Sequence, residues 1–199
     1  MLYWSKAEST GSDMVLQDQK RGITSSEFQA FIERPENGER LFELIEGKIV
    51  EKMPTQLHGM IAGLIVTFLN LFLFKNPIGW VMVEARYRLR DDDENDYIPD
   101  VSFISKAKGG VIEKGPAPYM PDFVVEIKSP DDSLADMRKK AAYYLAHGTQ
   151  LVWLVYTERR LVVVLTTDSE DILGENHTLD GGDVLHGFTL PVKDIFHQS

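Results

Sequence analysis

The chain has 199 residues, no cysteine, and 31 Asp and Glu against 21 Lys and Arg, for a formal net charge of −10. Without cysteine there is no disulfide framework, no thiolate metal site and no cysteine nucleophile. The acidic balance is the opposite of the footprint of a protein held to nucleic acid mainly by its own charge, although a local basic groove can coexist with a negative total. With 43% hydrophobic and 10% aromatic residues the chain can build the core of a domain of ordinary size.

Residues 1–23 are mixed and polar and read as an amino-terminal arm, and 24–199 read as one domain. The first residues lack the basic start and unbroken apolar core of a secretory signal, so a cytoplasmic location is expected. Thr24-Ser25-Ser26-Glu27 has the spacing of a capping box, and Phe28, Phe31 and Ile32 follow at helical intervals. A short helix is predicted there, ended by Pro35-Glu36-Asn37-Gly38. Residues 41–45 and 48–53 flank Glu46-Gly47 and predict a hairpin, with Glu43 inside its first strand. An apolar helix is predicted over 55–75. Its apolar stretch, 61–74, is interrupted by Gly63, Thr67 and Asn70 and is shorter than the roughly 20 residues that cross a bilayer. It reads as a core helix, and no membrane contact is expected.

Residues 80–83 and 87–90 predict further strands, and the acidic run 91–96 reads as a solvated loop without the glycine and terminal glutamate of a calcium loop. Two short apolar runs, 101–104 and 123–127, are separated by a loop rich in Gly and Pro. Leu134, Met137, Ala141, Tyr144 and Leu145 predict a helix over 133–147, closed by Gly148. Residues 150–156 and 160–165 predict a second hairpin, and 181–196 turns with a short terminal helix. This order implies an α/β (α+β) fold with one mixed central sheet flanked by helices.

The chemistry sits at the ends of the two apolar runs. Pro99-Asp100 precedes the first, and Glu126-Ile127-Lys128 closes the second. Alternate side chains of a strand share a face, so Glu126 and Lys128 are expected on one side and Val125 and Ile127 on the other. If the two strands are neighbours, Asp100, Glu126 and Lys128 converge. Two carboxylates at close range raise one another's pKa unless a cation lies between them, and one or two carboxylates with water are what Mg²⁺ takes. Plainer readings stand beside this one. Asp100 fits a turn, Glu126 a salt bridge to Lys128, Arg86 or Arg88, and Glu43 and Lys140 a solvated surface. His58 fits a capping or core position, and Tyr143, Tyr144, Trp153 and Tyr156 the core.

Strand-Pro-Asp, then strand-Glu-x-Lys, then a helix and another strand resembles the PD-(D/E)xK nuclease superfamily. Further residues appear in order: Phe42-Glu43-Leu44-Ile45-Glu46-Gly47, His58, Pro121-Asp122-Phe123, Ser129-Pro130, Lys140 with Tyr144 and Gly148, Trp153, and Leu179-Asp180-Gly181-Gly182-Asp183. Together they resemble the Uma2-type family of restriction-endonuclease-like proteins over residues 24–197. The resemblance implies a restriction-endonuclease-like core and an endonuclease that hydrolyses DNA with Mg²⁺ or Mn²⁺. It implies Asp100 and Glu126 as metal ligands with the main-chain carbonyl of Ile127, Lys128 orienting or activating the attacking water, and Glu43 completing the acidic cluster. Many members carry the lysine on the following helix instead, at the position of Lys140. This chain has both, and strand geometry favours Lys128. Relatives that cut duplex DNA often work in pairs, so a homodimer is expected. The alternatives are a catalytically silent nuclease-fold interaction module and a hydrolase of smaller phosphate esters.

Overall fold

A computed structural model describes residues 21–196, so nearly all of the expected arm lies outside the described residues. Helix α1 (Ser25–Ile32) starts at the capping box: Thr24 Oγ1 accepts from the Glu27 N–H, and the Glu27 carboxylate accepts from the Thr24 N–H at 2.8 Å. Strands β1 (Leu41–Ile45) and β2 (Lys48–Lys52) form the predicted hairpin as a two-stranded sheet of its own. Its turn residues Glu46 and Gly47 have φ of 50° and 70°, the left-handed pair that matches the twist of a two-residue hairpin. Phe28, Phe42 and Leu44 close a small core under this hairpin.

Helix α2 (Gln56–Lys75) is capped by Thr55. Its 20 residues make it long and apolar enough to cross a membrane by length and composition, which the 14-residue stretch read from the sequence did not suggest. In the fold it lies on the central sheet, with Ile61, Ile65, Leu69 and Leu73 buried against that sheet's β-strand side chains.

The central sheet has six strands in sequence order: β3 (Gly79–Val83), β4 (Val101–Ser105), β5 (Phe123–Ile127), β6 (Leu151–Tyr156), β7 (Leu161–Leu165) and β8 (Glu170–Gly174). All neighbours are antiparallel except β5 and β6, which run parallel. A parallel pair needs a crossover, and helix α3 (Leu134–Ala146) supplies it. Alternation then sorts the two faces. Phe103, Val125, Ile127, Trp153 and Val155 meet α2, while Val124, Val152, Leu154 and Val163 meet Met137, Ala141 and Tyr144 of α3. Every residue of β5 and β6 is buried, as expected of strands covered on both sides. A small ribbon of β9 (Thr178–Asp180) and β10 (Thr189–Pro191), followed by helix α4 (Val192–Ile195), closes the α2 side with Leu190, Ile195 and Phe196.

The mixed sheet flanked by helices is therefore the α/β architecture expected. Three local readings differ, the first being the solvated loop over 91–96, whose last residue, Asp96, is buried. Residues 87–90 form no strand. Tyr87 makes isolated bridges to Tyr97 and Ala117 instead, and Arg86 and Arg88 turn to the buried Asp96, at 2.6 and 3.8 Å. Strand β8 and the β9–β10 ribbon were not anticipated. β8 is a sheet edge and half polar, so it lacks the apolar run that marks an inner strand.

Gly79 starts β3, opposite Ser105 of the antiparallel β4, and a Cβ there would lie 2.2 Å from the Ile104 carbonyl oxygen and 2.6 Å from the Phe103 ring. The obstruction is main chain and a packed ring, so neither moves cheaply. Gly79→Ala is expected to lower unfolding free energy by about 2 kcal/mol in urea titrations. Gly63→Ala, on α2 with nothing within 4 Å of the added carbon, is expected to raise it by about 0.5–1 kcal/mol.

Candidate active site

Val101 of β4 pairs with Val125 of β5, so Asp100, which leads into β4, arrives beside the end of β5. There its Oδ2 accepts from the Ile127 N–H at 2.7 Å. Its Oδ1 accepts from Lys52 Nζ at 2.6 Å and faces His58 Nε2 at 3.3 Å. Lys52 is the last residue of β2 and also donates to the Ile98 carbonyl at 2.6 Å. Glu43, in the middle of β1, accepts from the Ile98 N–H at 2.7 Å with Oε1 and from Lys140 Nζ at 3.0 Å with Oε2. Lys140 also lies 2.8 Å from Glu126 Oε1, and that same oxygen accepts from the Tyr144 hydroxyl at 2.7 Å. Lys140 and Tyr144 are four apart on α3 and therefore share one helix face. Two turns of one helix thus address one carboxylate.

Glu43, Asp100 and Glu126 are 3%, 2% and 5% exposed. They line a cleft of about 320 Å³ together with Lys52, His58 and Lys140. Three carboxylates face two ammonium groups, and burial makes the imbalance costly. Burial opposes ionisation of Asp100, but the Lys52 charge, the His58 hydrogen bond and charge, and Lys140 outweigh it and hold this carboxyl well below the usual range. At Glu126 burial wins. With the like charges of Asp100 and Glu43 it pushes the carboxyl up, against Lys140 and Lys52. Burial also works against the charge on Lys140, yet Glu126, Glu43 and Asp100 overcome it and keep its pKa raised. Lys52 is raised in the same way, chiefly by Asp100. Of these two carboxyls, Glu126 is therefore the more readily protonated.

Of the residues singled out in the sequence, the fold brings together Glu43, Asp100, Glu126, Ile127 and Lys140. Lys128 is not in the ion cluster; its Nζ donates to the neighbouring Ser129 carbonyl at 3.1 Å. The alternation that put it on the Glu126 face holds only while the strand lasts, and β5 ends at Ile127. The salt-bridge partner of Glu126 is neither Lys128, Arg86 nor Arg88 but Lys140. Sequence reasoning did not single out Lys52, because a lysine at a strand end is normally solvated and carries no local signal. From sequence His58 fits a capping or core position and Tyr144 the core. Both are buried, and both also touch the carboxylates. Among the described residues, no three His, Asp or Glu side chains stand close enough to hold a metal as a group.

A mixed sheet whose parallel pair is joined by a helix, with a buried carboxylate–lysine cluster at the ends of adjacent strands, defines a nuclease-fold protein with a restriction-endonuclease-like core. Residues 26–193 match the Uma2 family model, described as "Putative restriction endonuclease", and the chain belongs to that family, within the PD-(D/E)xK-like nuclease superfamily. Among solved structures it is similar to the crystal structure of "a putative nuclease belonging to DUF820 from Anabaena variabilis ATCC 29413". The two share 27% identity over 88% of this chain and 98% of that one, with a TM-score of 0.75. No curated protein matches the chain.

Because the folded pKa of Asp100 is depressed, its contribution to stability is fully present above the unfolded value of about 3.9 and is lost as pH falls toward the folded value. Urea unfolding from pH 7 to pH 2 is expected to show this in the difference between wild type and Asp100→Asn. The stability gap should be constant at neutral pH, begin to narrow below about pH 4 and still be narrowing at about pH 2. A gap that stays constant through the acid range contradicts the assignment.

Proposed function

We propose that residues 24–199 form a metal-dependent endonuclease domain that hydrolyses DNA phosphodiester bonds in the cytoplasm. The observation that carries this reading is the excess of buried carboxylate over ammonium around one open cleft. The donor set fits a hard divalent ion. Asp100 and Glu126 offer carboxylate oxygens, Ile127 lines the same cleft and would add its main-chain carbonyl, and Mg²⁺ commonly takes only one or two carboxylates and keeps water. Those residues would hold Mg²⁺ or Mn²⁺, which when bound offsets charge on the phosphate and lowers the pKa of a bound water.

In this reading the lysine of the site is Lys140 rather than Lys128. Lys140 Nζ lies against Glu126 and Glu43, so it can hold a water in line or donate to a phosphate oxygen from a fixed position. Glu43 keeps that ammonium in place and braces the Ile98 N–H ahead of Asp100. Tyr144 orients Glu126, and His58 orients Asp100. The rim mixes Lys48 and Lys139 with Asp131, Asp132 and Asp136, which leaves phosphate recognition to the cluster and its ion rather than to a broad basic surface. A second reading, a catalytically silent interaction module, is favoured by the lysine partners that Asp100 and Glu126 already have.

Incubation with supercoiled plasmid and Mg²⁺ or Mn²⁺ separates the two. Wild type is expected to nick and linearise the DNA, Asp100→Ala, Glu126→Ala and Lys140→Ala to lose about 100-fold or more in rate, and Lys128→Ala to stay within about threefold. No cleavage by wild type with either ion, or unimpaired cleavage by Asp100→Ala, overturns the nuclease reading in favour of the module.

The reading extends to a homodimer, since two strands require two sites. Leu71 and Phe74 of α2 are 55% and 81% exposed and are the apolar surface that such a contact would cover. Sedimentation equilibrium is expected to give a dimer for wild type and a tenfold or greater weakening, by order of magnitude, for Phe74→Glu. A monomeric wild type rules the dimer out.

A further inference from the structure

We propose that Lys52 is a resident counter-ion that holds Asp100 until a divalent ion displaces it, and that it thereby sets the affinity of the cleft for that ion. The inference rests on the metal-site reading above and deepens it. Its basis is the division of labour between the two oxygens of Asp100. Oδ2 is committed to the Ile127 main chain at 2.7 Å, a bond that also fixes the end of β5. Oδ1 is the oxygen left for a cation, and Lys52 Nζ sits on it at 2.6 Å. An ion binding through Oδ1 therefore meets an ammonium already in place and must move it or share the oxygen with it.

The two lysines of the cleft, both part-buried, differ in what holds them. Lys140 bridges two carboxylates, at 3.0 and 2.8 Å, and would keep Glu43 if Glu126 turned to an ion. Lys52 pairs with one carboxylate only. Its other partner is a neutral acceptor, the Ile98 carbonyl at 2.6 Å. That carbonyl gives Lys52 somewhere to stay when Asp100 is taken, so displacement costs one ion pair and does not leave the ammonium bare. Lys52 also comes from the β1–β2 hairpin, which is a separate sheet from the one that carries Asp100 and Glu126. A shift of the ammonium therefore leaves the strands of the site in register. Like charges at such separations interact strongly in a buried site, so Lys52 weakens the binding of any cation at Oδ1.

The test is Mn²⁺ binding without DNA, followed by loss of the free-ion paramagnetic resonance signal. Lys52→Gln keeps a hydrogen-bond donor toward Asp100 and removes the charge. It is expected to bind Mn²⁺ about tenfold more tightly or better than wild type, with a larger rise in melting temperature when Mn²⁺ is added. Lys52→Arg keeps the charge and is expected to bind no more tightly than wild type. A folded Lys52→Gln with wild-type or weaker affinity overturns the counter-ion role, as does tighter binding by Lys52→Arg. If wild type binds Mn²⁺ and Lys52→Gln does not gain, the counter-ion role falls alone. If neither wild type nor any folded Lys52 variant binds, the metal-site reading falls and the counter-ion role falls with it.

Discussion

The structure depends on three buried carboxylates, Glu43, Asp100 and Glu126, set against the part-buried ammonium groups of Lys52 and Lys140. Unpaired, any one of these groups would be expensive to remove from water. Paired, they tie together parts of the chain that the backbone does not join. Glu43 and Lys52 come from the β1–β2 hairpin, Asp100 and Glu126 from the central sheet, and Lys140 from α3. The hairpin meets the rest of the fold through the small core it shares with Phe28 of α1, one isolated bridge, Leu44 to Asp96, turn hydrogen bonds, and these ions. The charges that line the cleft therefore also help to hold its walls in place.

The central sheet is what makes such a cluster possible. Packing on both faces of β5 and β6 leaves the strand ends as the place where polar side chains can emerge from a rigid support. Glu126 is one residue from the end of β5, and Asp100 immediately precedes β4. The parallel β5–β6 pair requires α3 to cross over the sheet, and the crossover carries Lys140 and Tyr144 onto Glu126. Position and chemistry are thus two results of one topological demand.

Burial also separates the charge of the cleft from the acidic balance of the whole chain. A net charge of −10 is spread over a solvated surface where it is screened. The cluster is largely buried, so its local sign is set by its own members and by any ion that joins them. The unequal count leaves Glu126 strained toward protonation, and Asp100 firmly ionised. The site is asymmetric before any ligand arrives.

Much of this was legible in the sequence. The capping box at Thr24, the turn at Glu46-Gly47, the apolar helix over 55–75 and the strands around Asp100 and Glu126 rest on periodicity and turn chemistry, which act between near neighbours. The two carboxylates showed themselves as acids bordering apolar runs, and the family resemblance added Glu43 and Lys140. Which lysine enters the cleft was not legible, because it depends on where β5 ends and how α3 lies across it. Lys52 was invisible for the same reason. A lysine at the end of a hairpin looks solvated until another segment, here the Ile98–Asp100 approach to β4, is folded over its ammonium. Local spacing decides the elements and their faces; only the tertiary structure decides which charges are taken out of water together, since that depends on contacts between residues 48 and 97 positions apart.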